Sequence, residues 1–250
     1  MSQIIYGRNS VLEALKAGKS IQKIVIARHA QGVQIQEIIS MAKKVRLPVE
    51  FVSKEELFKM SANQKSQGVV AISTARDYAT IGDIFEKSAR LREPPILALL
   101  DGIEDPHNLG AIIRTADGAG LHGIVIPKRR SAGVTPTVVK TSAGATAHVL
   151  TVQVSNLNYL IDELKSKNIW IVGADQEADV DYYEADLVGA LAMVIGSEGK
   201  GLHRLVKSNC DLLVKIPMFG KVNSLNASVA AALLFFEARK QREGLLTAKN

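Results

Sequence analysis

The chain has 250 residues, of which 47% are hydrophobic and 22% charged, proportions of an ordinary globular protein that exclude a disordered or fibrous one. Its longest apolar stretches, residues 187–195 and 227–236, are too short to cross a bilayer, and the first residues lack the basic start and long apolar run of a secretory signal, so a cytoplasmic location is expected. The net charge of +6 is unevenly spread: residues 1–75 carry 11 Lys/Arg against 5 Asp/Glu, whereas residues 76–250 carry 20 of each.

A basic first third suits a polyanionic partner, through phosphate neutralisation and counterion release; it equally suits a merely solvated surface. Within it, Val11, Leu12 and Leu15 predict a short amphipathic helix and residues 23–27 a strand rich in Ile and Val. A second helix through Ile35, Ile38, Ile39 and Ala42 leads to a strand at 49–52. Ser53 then caps a helix opening Lys-Glu-Glu, and 69–72 reads as a third strand. These elements make a small α/β domain over residues 1–75. The charged, weakly periodic stretch 76–95, closing on Pro94-Pro95, predicts a linker.

Continuous apolar runs follow at 96–100, 123–126, 148–152, 169–172, 191–195 and 212–216, separated by helical stretches around Ile112, Leu160, Leu205 and Leu233. Strands covered on both faces and alternating with helices predict a parallel sheet in an α/β domain over residues 96–250. Ligands in such sheets sit beyond the carboxyl ends of the strands. The loops after Leu100, Ile195 and Ile216 (residues 101–110, 196–201 and 217–226) each mix glycine with polar side chains.

Other motifs carry less. Residues 118–123 match a dinucleotide fingerprint but leave a helix and enter a strand, the reverse of the required order. Residues 175–181 imitate the start of a calcium loop, yet Val180 stands where glycine is needed, so a solvated acidic loop is expected. The histidines His29, His107, His122, His148 and His203 have no metal spacing, and the single cysteine, Cys210, excludes a thiolate zinc cage. No metal is expected. What remains is backbone freed by Gly196, Gly199 and Gly201 for close approach to a ligand. Ser224 and Asn226, just before the last helix, are placed either to cap it or to hold an anion. Arg114 is either a solvent-facing arginine or a phosphate fork.

Those three loops resemble the three signature motifs of the SpoU-TrmH family of RNA ribose 2'-O-methyltransferases. Asn108-Leu-Gly-Ala-Ile-Ile-Arg114-Thr-Ala resembles the first motif, Ile195-Gly-Ser-Glu198-Gly-Lys-Gly201-Leu the second, and Ile216-Pro-Met through Asn223-Ser-Leu-Asn226-Ala-Ser-Val-Ala-Ala-Ala the third. Residues Tyr6-Gly7-Arg8-Asn9 and Gln67-Gly68-Val69-Val70-Ala71 look like that family's substrate-binding domain. The layout is similar to the branch that methylates a guanosine of large-subunit (23S) ribosomal RNA. One departure, Ser66 before Gln67-Gly68 where that branch has His, bears on the substrate rather than on the reaction.

The resemblance implies a Rossmann-like parallel-sheet domain with a C-terminal trefoil knot, a homodimer, and S-adenosylmethionine bound by Gly196, Ile216, Met218, Leu225 and Ala174. It implies catalytic roles for Arg114, Asn108, Glu198, Ser224 and Asn226. Arginine is always protonated, so Arg114 is expected to grip a phosphate and stabilise the developing alkoxide while phosphate or water accepts the proton. Asn108 and Glu198 are expected to hold Arg114, and Ser224 and Asn226 to orient the nucleotide. Arg8, Lys43, Lys44 and Arg46, with the run Lys128-Arg129-Arg130, are candidate RNA contacts. The competing expectations are a tRNA ribose 2'-O-methyltransferase and a non-catalytic RNA-binding factor of ribosome assembly that keeps the fold.

Overall fold

A computed structural model of the chain describes residues 3–17, 21–61, 66–73 and 78–247. In chain order the first elements are β1 (Gln3–Tyr6), α1 (Arg8–Lys16), β2 (Ile21–Ala27), α2 (Val33–Lys44), β3 (Val49–Val52), α3 (Lys54–Met60) and β4 (Val69–Ser73). There follow α4 (Ile81–Leu91), β5 (Ile96–Asp101), α5 (Pro106–Gly118), β6 (Gly123–Pro127), α6 (Pro136–Thr141), a 3-10 turn at Ala145–Ala147, β7 (Leu150–Val154), α7 (Leu157–Ser166) and β8 (Trp170–Ala174). The last are β9 (Val180–Asp181), β10 (Leu191–Gly196), α8 (Arg204–Ser208), β11 (Leu212–Lys215) and α9 (Ala227–Thr247).

The chain divides into two compact units: Met1–Asp77 with Val134–His148, and Tyr78–Gly133 with Val149–Asn250. The first unit is built on a four-stranded sheet ordered β1-β4-β2-β3, in which β4 runs antiparallel to both β1 and β2 while β2 and β3 are parallel. Strand periodicity sorts its apolar residues to two faces. Ile5, Ile24, Ile26, Val69 and Ala71 pack with Val11, Leu15, Ile35 and Ile38 of α1 and α2; Tyr6, Val25, Ala27 and Val70 pack with Leu57 of α3. The predicted cap of α3 is a complete capping box, with Glu56 N–H donating to Ser53 Oγ at 3.1 Å and Ser53 N–H to Glu56 Oε2 at 2.9 Å.

Two boundaries differ from expectation. Residues 76–95 were expected to be a linker; 76 and 77 lie outside the described residues, but 81–91 form α4. Its Thr80–Asp83 capping box and a fully buried Ile84, in the core of the second unit, hold it there. Charged residues on its outer faces dilute the apolar spacing, which is why the sequence reads as a connection. Conversely, residues 134–148, expected in the second domain, fold with the first unit. Val139 of α6 joins the core formed by α1 and α2, and His148 Nε2 lies 2.8 Å from Glu13 Oε2.

The second unit is a seven-stranded sheet ordered β7-β6-β5-β10-β8-β11-β9, with every pairing parallel. One face carries Leu97, Leu99, Val125, Ala192 and Val194 against Ile84, Leu160, Ile161 and Leu164 of α4 and α7. The helices α5 and α9 pack on each other, and α9 against β10. The strand predicted at 148–152 begins two residues later, at Leu150, because the 3-10 turn occupies the residues before it. Although β10 comes late in the chain, it lies between β5 and β8. That insertion is the topological switch of the sheet.

Candidate active site

Because β10 pairs with β5 in register, Gly196 lies beside Asp101, and the loops leaving the two strands start as neighbours. The first loop turns into α5, whose N-cap is Asp105, with Oδ1 accepting the His107 N–H at 2.9 Å, and whose first residue is Pro106. The second loop folds back on itself through paired hydrogen bonds between Ser197 and Gly201, at 3.2 and 2.9 Å. That hairpin explains the glycine at 196: a Cβ there would overlap backbone of Gly201 and lie 2.6 Å from Leu202 N, closer than real Cβ contacts come. The third loop leads to α9, which Asn226 caps by accepting the Ser228 N–H at 2.9 Å.

Residues from all three loops meet at one carboxylate oxygen. Glu198 Oε1 accepts Asn108 Nδ2 at 3.1 Å and the Ala227 N–H at 3.3 Å, together with Asn226 Nδ2. Asn226 Nδ2 also donates to Asn108 Oδ1 at 2.9 Å. Asn226 thus caps its helix with its oxygen and joins the cluster with its nitrogen, so capping and site-building are not alternatives here. Ser224 does not cap; it lines the cleft.

That cleft has a volume of about 470 Å³ and lies along the second and third loops. Ala174, Gly196, Ile216, Met218 and Leu225, the five residues expected to contact a cofactor, all line it, together with Glu198 and Ser224. Asp175 and Glu177 line it as well. Lys207 Nζ pairs with them at 3.0 and 2.9 Å, and Glu177 first, then Asp175, raises the Lys207 pKa. The stretch expected to be a solvated acidic loop therefore forms one wall. Its position directly after β8, next to the switch, was the available signal. Among the described residues no cluster of His, Cys, Asp or Glu is suited to a metal. Burial pushes the Cys210 thiol up to about 12, far from nucleophilic use.

A second cavity of about 450 Å³ is bounded by Gly102, Glu104, Asp105, Asn108, Arg130, Ser197, Glu198, Lys200 and His203. It shares Ser197, Glu198 and Lys200 with the first. Here the buried Asp101 accepts the His203 N–H on Oδ2 at 2.7 Å and faces His203 Nδ1 with Oδ1 at 2.8 Å. Nothing in the sequence motifs singled out His203.

The remaining candidates lie apart. Arg114 is exposed on α5 and forms no hydrogen bond or ion pair among the described residues, so the expectation that Asn108 and Glu198 hold it is corrected. Six residues of α-helix put it about 9 Å along the axis and roughly 120° around from Asn108. Lys43, Lys44 and Arg46, and the run Lys128, Arg129, Arg130, are exposed; only Arg130 of these lines the second cavity. Arg8 is half-buried, donating from Nε to Gln67 O at 3.0 Å while its N–H donates to Gln67 Oε1 at 3.1 Å. Its charge is thereby tied to the turn before β4.

A cleft and a polar cluster at the switch of a parallel sheet, in a chain that also carries a basic mixed-sheet unit, define an α/β protein of two compact units with a small-molecule site in the second. Residues 95–236 match the SpoU rRNA Methylase family, and residues 4–79 match the RNA 2'-O ribose methyltransferase substrate binding family. The chain belongs to the SpoU family and is an RNA 2'-O-methyltransferase. It is 46% identical over 238 residues, 95% of each chain, to YacO of Bacillus subtilis, assigned to the TrmH family of tRNA/rRNA methyltransferases. Among solved structures it is similar to the SpoU methyltransferase AviRb from Streptomyces viridochromogenes in complex with AdoMet, with TM-score 0.83 and 26% identity over 97% of this chain and 91% of that one. The A. aeolicus TrmH/SpoU tRNA modifying enzyme has TM-score 0.56 and 26% identity, covering 65% of this chain and 85% of its own.

Proposed function

We propose that the protein transfers a methyl group from S-adenosylmethionine to the ribose 2'-hydroxyl of a guanosine in large-subunit (23S) ribosomal RNA, in the cytoplasm. The observation that carries this reading is the gathering of Asn108 and Asn226 on Glu198 at the rim of a cleft of cofactor size. A volume near 470 Å³ falls in the range of small-molecule sites. Its walls combine the apolar Ile216, Met218, Leu225 and Ala174 with bare backbone at Gly196, a fit for a ligand with a flat ring and polar ends. When bound, the cofactor supplies an already activated sulfonium methyl. The protein's own task is to align the hydroxyl for in-line attack, a large proximity effect.

Glu198, Asn108 and Asn226 form the hydrogen-bonded wall against which the nucleotide sits, and Ser224, which lines the same cleft as Glu198, helps to orient it. Arg114, its fork uncommitted, grips the RNA phosphate and stabilises charge developing on the hydroxyl oxygen. The ribosomal substrate is favoured by the amino-terminal unit: an rRNA methyltransferase from Sinorhizobium meliloti, 25% identical, covers 96% of this chain, whereas the A. aeolicus tRNA modifying enzyme covers 65%. The trefoil knot belongs to the same reading, supported by the way residues 196–202 line one cleft with Met218, Asn223, Ser224 and Leu225. So does the homodimer: half-exposed Phe236 and Val229 of α9 form an apolar patch with Tyr182 and Leu233, suited to a second copy.

The test is transfer of labelled methyl from S-adenosylmethionine to separated large-subunit ribosomal RNA and to bulk tRNA, followed by nuclease mapping. Label in a 2'-O-methylguanosine of ribosomal RNA is expected. Label in tRNA alone overturns the substrate; cofactor binding without transfer to either RNA favours a non-catalytic assembly factor.

A further inference from the structure

We infer that His203, oriented by the buried Asp101, accepts the proton of the ribose 2'-hydroxyl; the inference rests on the reaction proposed above. Methyl transfer to a hydroxyl releases one proton. Asn108 and Asn226 are amides, Glu198 Oε1 already accepts from both of them and from the Ala227 N–H, and Arg114, which lies apart from this cluster, is permanently charged. His203 has the arrangement of an oriented base. Asp101 is 4% exposed and meets Nδ1 at 2.8 Å, which fixes the tautomer with hydrogen on Nδ1 and the lone pair on Nε2. The same carboxylate holds the His203 backbone through Oδ2 at 2.7 Å.

A Cβ at Gly102, whose φ is +77°, would stand 3.4 Å from His203 Cε1, so the glycine leaves that edge of the ring uncrowded. Nε2 has no partner among the described residues, and His203 lines the cavity that it shares with Asn108 and Glu198. The charged groups facing that cavity are Glu104 and Asp105 from the loop after β5, Glu198 and Lys200 from the loop after β10, and Arg130 from the loop after β6. Lys200 and Arg130 supply positive charge for the phosphates flanking the ribose. With about half of its side chain exposed, His203 can return the proton to water after each turnover.

In this step the 2'-oxygen forms its bond to the methyl carbon as the sulfonium S–CH3 bond breaks. The hydroxyl proton passes to His203 Nε2, and the leaving sulfur departs as a neutral thioether. The resulting imidazolium is stabilised by Asp101 and then deprotonated by solvent. No further reactant is needed.

His203→Asn is the informative variant, because its amide reproduces the Nδ1 hydrogen bond to Asp101 and has nothing at the Nε2 position. With the full-length protein and RNA carrying the mapped nucleotide, its single-turnover rate is expected to fall about 100-fold, within the range of general-base effects. Cofactor affinity, measured by calorimetry, is expected to stay unchanged. A second readout needs no turnover: without cofactor, wild type should bind the RNA several-fold more tightly than the same RNA with a 2'-deoxy target nucleotide, and His203→Asn should not discriminate. A variant rate within threefold of wild type, or discrimination retained, overturns the inference. No transfer by the wild type to any RNA overturns the parent reading and this inference with it.

Discussion

At the scale of single residues, the site divides into groups that are already committed and groups that are free. Glu198, Asn108 and Asn226 satisfy one another, so their geometry exists before any ligand arrives. Arg114 has no such commitment. Replacing it tests what its fork contributes: Arg114→Lys keeps the charge and loses the paired donors. Single-turnover methyl transfer is therefore expected to slow roughly thirtyfold, the equivalent of about 2 kcal/mol for hydrogen bonds to a charged group. Cofactor affinity should stay unchanged. A near-normal rate would show that a point charge suffices and the fork does not matter.

A different residue governs acid stability. His122 is fully buried, accepts the Ile96 N–H on Nδ1 at 3.0 Å, and leaves Nε2 without a hydrogen bond. Burial foremost, opposed by nearby Glu93, lowers its pKa to about 4 from 6.5. The unfolded chain therefore binds a proton that the folded chain refuses. The stability this contributes is whole above about pH 6.5 and is lost as the pH falls toward 4, amounting to about 3 kcal/mol. His122→Asn keeps an acceptor for Ile96 and cannot titrate. Denaturant unfolding from pH 7 to pH 4.5 should show a steeper loss for wild type than for this variant; parallel losses would assign acid sensitivity to other groups.

At the scale of elements, the loops were legible in the sequence because glycine and amides are written there in the order the chemistry needs them. Their meeting was not. Asn108 and Asn226 are brought onto Glu198 by the insertion of β10 between β5 and β8, a long-range pairing that no local pattern encodes. The same holds for His203, whose partner Asp101 lies a hundred residues away at the end of β5. Two elements were illegible for opposite reasons: α4 because charge hides its narrow apolar stripe, and α6 because its six residues are too few to show a period. The loop hairpin offers a test at this scale. Gly196→Ala places a methyl group in the backbone of Gly201 and Leu202, which must move and reshape the cleft. Cofactor affinity measured by calorimetry is expected to drop at least tenfold, because the hairpin forms one side of the cleft. Global melting should shift by only a few degrees, as the strand itself ends at this residue. An unchanged affinity would mean that the hairpin is not part of the cofactor site.

At the scale of the whole molecule, the division into units sharpens the charge asymmetry already present along the chain. Counted by unit, the first carries 13 Lys/Arg against 6 Asp/Glu and the second 18 against 19, so the entire positive excess belongs to the unit that matches the substrate-binding family. Deleting residues 1–75 would be a poor test of recognition, since residues 134–148 fold with that unit and Val139 would lose its core. Point changes are cleaner. Lys43 and Lys44 end α2 and Arg46 follows in a left-handed turn with φ of 56°, where cations also complement the helix dipole. A purely structural role and an RNA-contacting role therefore predict different things. Reversing all three to Glu in the full-length chain should cost little stability, because all three are exposed. If they contact phosphates, RNA affinity should fall, and the slope of log affinity against log salt should flatten by roughly two to three. If they only complement the helix, the salt slope will stay the same while the melting temperature drops, and recognition must be sought elsewhere on the basic unit.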